Sequence, residues 1–297
     1  MSLWIAFTLF AAAVQTVRFM LQKQLKGIGL STGGATFARF LFAAPIALTA
    51  AAGGLVATGL ALPDIGLSFW GFIILGAVGQ IVATFLTVAL FSLRNFAVGI
   101  AFTKTETVQV AAFSALLLSE RISAAGWLAI GIGFAGLMLI SKSPEPGAPV
   151  LGRPALYGIA AGALFGLSAI GYRGATLALE PLPFLLRAVV ALTATTCLQT
   201  VLMLVWLRWR EPGEAGRVLS LWRRTLPVGV TGVMGSMGWF AAFALQNAAY
   251  VRALGQVEIV FTMLASVLFF RERLRPREAL GIALVVVSVI ALVLAAA

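Results

Sequence analysis

The sequence predicts an all-α polytopic membrane protein whose ten transmembrane helices form two inverted five-helix repeats. Three observations carry this. The 297-residue chain is 61% hydrophobic and 10% charged, whereas a soluble domain is about 25% charged. Apolar runs of the roughly 20 residues that cross a bilayer recur along its whole length. Residues 91–130 also align on 243–282 at one ungapped offset of 152. Phe91 then meets Phe243, Asn95 meets Asn247, Glu106 meets Glu258, Ser114 meets Ser266, and Glu120-Arg121 meets Glu272-Arg273. Five spans per half is an odd number, so the second half crosses in the opposite sense to the first. That is the architecture of secondary transporters.

The spans follow in order. The opening run, 3–21, has no charged leader and no small-residue cleavage site before Arg18, so it is expected to be a span and not a removable signal. Spans at 32–53 and 68–91 flank a link holding Pro63-Asp64, and the third contains Gly76, Gly79 and Gln80. Spans 97–118 and 122–141 complete residues 1–141, the first repeat. The Pro- and Gly-containing segment 142–153 is the linker, and 154–297 is the second repeat. It begins with span 154–173, where Gly158, Gly162 and Gly166 form small-xxx-small steps. Span 183–207 leads through an Arg-rich link, 208–225, to span 226–246. There glycine recurs at 229, 232, 235 and 238 beside Ser236 and Trp239. Close helix packing is the favoured account of these glycines. Spans 250–270 and 276–296 end the chain.

Composition also excludes. With no His and a single Cys, Cys197, there is no His-based triad, no intrachain disulfide and no His/Cys metal site. No cofactor is expected. The net charge of +11 does not point to nucleic acid, because most basic residues sit in short links between apolar runs. Fourteen Lys and Arg fall on the links after odd-numbered spans and three (Arg121, Arg173, Arg252) on the other face. The positive-inside rule then places both termini outside, and the Arg-rich face meets anionic lipid. Tryptophans near span ends, such as Trp4, Trp70, Trp127 and Trp222, read as interface belts.

Six ionisable residues fall within spans: Arg18, Arg39, Lys104, Glu106, Arg187 and Glu258. Each costs roughly 2.5–3.5 kcal/mol or more at the bilayer centre without a partner. Arg18 is expected to snorkel to the interface. Measured from the span starts at about 1.5 Å per residue, Arg39 and Glu106 lie at similar depth, as do Arg187 and Glu258. Two symmetry-related pairs, Arg39–Glu106 and Arg187–Glu258, are therefore expected to brace opposite gates. Gln80 and Trp239 are added as cavity residues, and helix capping is the favoured role of Asn95 and Asn247.

An acidic–basic pair after the fourth helix, a short turn and a glycine-containing last helix mark both halves. These are Ser119-Glu120-Arg121-Ile122 with Gly126, Gly131 and Gly133, and Arg271-Glu272-Arg273-Leu274 with Gly281. Together with Arg39-Phe40-Leu41 and the helix count, they resemble the EamA-type branch of the drug/metabolite transporter superfamily. The resemblance implies a secondary carrier, often an exporter of small metabolites such as amino acids. Its cavity would be lined by the first, third and fourth helices of each repeat, with the fifth peripheral. Related four-helix pumps couple protons through a glutamate in their first helix. Spans 1 and 6 here carry no acid, so that mechanism does not transfer. Many members have cytoplasmic termini, opposite to the charge count.

The resulting expectation is a secondary active exporter in a bacterial inner membrane, acting by alternating access as a monomer or homodimer on a small-molecule substrate, and not an enzyme. Its substrate-binding or gating residues would be Arg39, Gln80, Lys104, Glu106, Arg187, Trp239 and Glu258. A flippase or scramblase for lipid or lipid-linked intermediates is the alternative.

Overall fold

The computed structural model describes residues 2–90, 102–140, 152–261 and 276–295. Among them are eleven helices and no strand. They are α1 (Leu3–Gly27), α2 (Thr32–Thr58), α3 (Leu67–Leu90), α4 (Glu106–Leu118), α5 (Ala124–Ile140) and α6 (Arg153–Leu177). Then come α7 (Phe184–Arg210), α8 (Glu214–Ser220), α9 (Trp222–Leu245), α10 (Ala248–Leu254) and α11 (Pro276–Ala295). Six of these, α2, α3, α6, α7, α9 and α11, are long and apolar enough to cross a membrane; α1, α4 and α5 carry shorter apolar stretches. The chain is a multi-pass, all-helical membrane protein.

Packing sorts it into two compact units, each drawing on both halves of the sequence. The first holds 1–78 and 171–245, the second 79–170 and 246–297. The division runs through α3 and α6, so each of these helices gives one part to each unit.

In the first unit α9 packs on α1 and α2 through its every-third glycine. A Cβ on Gly229 would lie 2.3 Å from Phe42 Cβ, one on Gly232 3.0 Å from Arg39 Cγ, and one on Gly238 3.0 Å from Ala11 Cβ. The missing side chains are what allow this approach. The Arg-rich link is not irregular, because it folds into α8 and docks on the start of α2. Ser31 caps α2 by accepting from Gly34 N at 2.8 Å. Glu214 accepts from Ser31 N at 2.6 Å, and Glu211 accepts from Ser31 Oγ at 2.5 Å. Carboxylates at a helix N-terminus satisfy orphan donors and complement its dipole. Arg217 ties Glu214 (2.9 Å) to the carbonyl of Gly29 (2.8 Å).

In the second unit α5 and α11 meet through glycines of the repeat-ending motifs. A Cβ on Gly136 would lie 2.7 Å from the Gly281 carbonyl oxygen, and one on Gly133 2.5 Å from Ser288 Oγ. Ser288 donates to the Ala129 carbonyl at 2.6 Å. Gly131 faces open space.

These contacts set a paired expectation. Gly229→Val drives a branched side chain into Phe42 and lowers the thermal midpoint of detergent-solubilised protein by several degrees. Gly131→Ala removes backbone freedom, worth roughly 0.5–1 kcal/mol, and leaves the midpoint equal or raised.

Candidate functional site

The second unit contains two helices that break at nearly the same place in the repeat. Span 4 is interrupted by a turn at Lys104-Thr105, and α4 starts at Glu106. Span 9 is interrupted at Gly255-Gln256, and helix resumes at 257–261. Short i→i+3 bonds replace the α-helical ladder. Thr107 N donates to Lys104 O at 3.4 Å, and Ile259 N donates to Gln256 O at 3.0 Å; these two bonds are related by the repeat offset. Glu106 follows the first break directly, and Glu258 lies one residue beyond the second, after Val257.

The two breaks are joined. Glu106, 8% exposed, forms an ion pair with Arg252 of α10. Gln256 Nε2 donates to Thr107 Oγ1 at 2.7 Å, and Gln109 Nε2 donates to Thr105 Oγ1 at 3.1 Å. α6 comes close because Gly162 has no side chain: a Cβ there would lie 2.9 Å from Thr103 O and 3.2 Å from Glu106 N. The carboxylate at the start of α4 also complements that helix's dipole.

Each expected pair joins a residue of the first unit to one of the second; within the units the partners are these. Glu106 is held by Arg252, and Arg187 by Glu180 at 2.5 Å. Depth counted along uninterrupted helices had suggested Arg39 and Glu258 for these roles. Arg252 and Arg173, counted at span ends, lie inside α10 and α6. Arg39 donates to Ser236 Oγ at 3.2 Å and stacks over Phe40. Arg18 does not snorkel; it is buried beside α9. Lys104 lies on the first break, half-buried like Glu258 and Gln80.

Trp239 is buried in the first unit, where its Nε1 donates to Gln15 Oε1 at 3.2 Å and its ring stacks on Phe243. Tyr172 packs on Phe240 with centroids 4.5 Å apart. Its hydroxyl donates to Gly76 O at 3.2 Å and receives Gln199 Nε2 at 3.4 Å. Arg173 donates to Phe243 O at 2.5 Å and Arg187 to Ala244 O at 3.4 Å, so two guanidinium groups cap the end of α9. Sequence reasoning passed over Arg173, Arg252, Tyr172 and Gln199. Arg252 left no repeat signal, since the aligned residue is Ile100.

Residues 152–294 match the EamA-like transporter family. The chain carries an EamA-like transporter domain. The fold agrees with a solved crystal structure, TM-score 0.73 at 17% identity, aligned over 99% of both chains. No curated protein gives a significant match in sequence.

The turn at 119–122 has a physical account. Ser119 takes a left-handed conformation (φ 54°) that ends α4, and Glu120 N donates to Ser114 O at 3.2 Å. Ser114 Oγ lies 2.6 Å from Glu120 Oε2 and 3.0 Å from Asn247 Oδ1. Its one proton goes to the shorter contact. Asn247 caps α10 as expected, accepting from Ala249 N at 2.8 Å. The matching Asn95, Ser266 and Glu272 lie outside the described residues.

The ion pair sets a double-mutant test. Removing one member of a buried pair strands the other and costs about 3–5 kcal/mol. Glu106→Gln and Arg252→Gln should each lower the thermal midpoint, and the double variant should recover part of the loss.

Proposed function

We propose that this chain, with its EamA-like domain, is a secondary carrier that exports small metabolites, such as amino acids or related amphipathic compounds, by alternating access. Its ten helices form inverted repeats at 1–141 and 154–297, and it works in a bacterial inner membrane. The observation that carries this reading is the pair of helix breaks within one residue of matching repeat positions, each with a glutamate close after it (Glu106, Glu258). Discontinuous helices in corresponding positions of two halves are the best pointer to a transporter's binding region. Lys104, Glu106, Arg252 and Glu258 are the proposed substrate or gating groups at the breaks, with Gln80 on α3. Arg39 and Trp239 are assigned the same roles in the first unit, and Arg187 braces the end of α9.

The charge asymmetry supports periplasmic termini and an Arg-rich face toward the anionic cytoplasmic leaflet. It gains force because two of the three basic residues counted on the opposite face, Arg173 and Arg252, are engaged inside the protein.

Purified protein in liposomes tests the reading. Saturable counterflow of an amino acid should appear and fall at least tenfold in Glu106→Gln and in Glu258→Gln, while Gly131→Ala retains it. Lipid scrambling without counterflow would replace this reading with the flippase alternative.

A further inference from the structure

A groove of about 350 Å³ lies between the end of α1 and the start of α9. It is lined by Leu21, Gln24, Leu25, Ile28, Pro227 and the arginines Arg223 and Arg224. Its wall is apolar on the α1 side, with Leu25 buried and Leu21 and Ile28 half-buried, whereas both arginines are exposed. Neither arginine forms an ion pair with a described residue. No acid lines the groove, and none lies in the first turn of α9. Two cations in a first turn oppose the helix dipole, so α9 gains no stability from them. The adjoining Trp222 is exposed, with the Arg223 guanidinium 5.6 Å from its ring. Amphipathic aromatic rings of this kind settle at headgroup level.

We propose that this groove is a binding site for one anionic phospholipid. Its phosphate is held by Arg223 and Arg224, and the upper part of its acyl chains lies along Leu21, Leu25 and Ile28. Charge complementarity selects the headgroup. The joining of two guanidinium groups to an apolar wall selects a lipid over a free phosphate, which has nothing to place against leucine. Gln24, also at the groove and exposed, is a donor for a glycerol or ester oxygen. This deepens the reading that the Arg-rich face meets an anionic leaflet: it turns a diffuse attraction into one stoichiometric site.

The test uses full-length protein in a neutral detergent, titrated with phosphatidylglycerol or phosphatidylcholine and followed by native mass spectrometry. One phosphatidylglycerol should bind with preference over phosphatidylcholine. An arginine near an anionic surface contributes about 1 kcal/mol, about fivefold in affinity. Arg223→Gln with Arg224→Gln should therefore weaken phosphatidylglycerol roughly 30-fold and leave phosphatidylcholine unchanged. Arg208→Gln with Arg210→Gln removes the same charge outside the groove and should keep the site. Equal weakening in both double variants overturns the groove but leaves the anionic-face reading standing. No preference for phosphatidylglycerol in the parent protein overturns both. Inorganic phosphate that displaces the lipid at millimolar concentration makes this a soluble-anion site and overturns the lipid assignment. A thermal midpoint in phosphatidylcholine within a few degrees of the parent confirms that the exposed substitutions leave the fold intact.

Discussion

A helix that stops inside a bilayer leaves donors and acceptors that only the protein can satisfy. Several charged side chains among the described residues answer that constraint. At the start of α2 the orphan N–H groups meet Ser31, Glu211 and Glu214. At the end of α9 the last carbonyls meet Arg173 and Arg187. At the start of α4 the acid is Glu106, and its cation is Arg252. Acids lie at helix starts and arginines at a helix end, as the peptide dipole requires. A chain with 10% charged residues places several of them where a helix would otherwise end unsatisfied.

Glycine answers the complementary problem of bringing backbones together without a hydrophobic driving force. The ridge on α9 and the pairs joining α5 to α11 are packing surfaces. Gly162 has a second consequence. It lets α6 approach the break at Thr103–Glu106, so backbone in a short-ladder conformation is covered by protein and not by lipid. The break and the glycine therefore depend on each other: a side chain at 162 would collide with the backbone whose shielding it is meant to complete.

Hydropathy made the helical, multi-pass character legible, because run length and lack of charge are local properties. The repeat made the two glutamates and the Asn247 cap legible, because they recur at a fixed offset. Partners were not legible. Arg252 has no counterpart in the first half, and it is seen only once span 9 is known to stop at Leu254 and turn. The Arg-rich link looked like topology signal alone, yet Glu211, Glu214 and Arg217 within it close the start of α2. Depth arithmetic assumed continuous helices, whereas spans 4 and 9 turn close to Glu106 and Glu258.

The repeat is also imperfect where it matters chemically. Both glutamates are retained, but the residue matching Arg252 is Ile100, and the residue matching Lys104 is Gln256. The basic groups around the two breaks are therefore not related by the repeat. On the proposed reading of two inverted halves that open alternately, identical breaks would make the two directions of opening equal in energy. Unequal electrostatics remove that degeneracy, because an ion pair broken in one state and kept in the other shifts the balance by its differential interaction energy. Under the proposed alternating-access reading, a resting preference for one side would follow from these few residues.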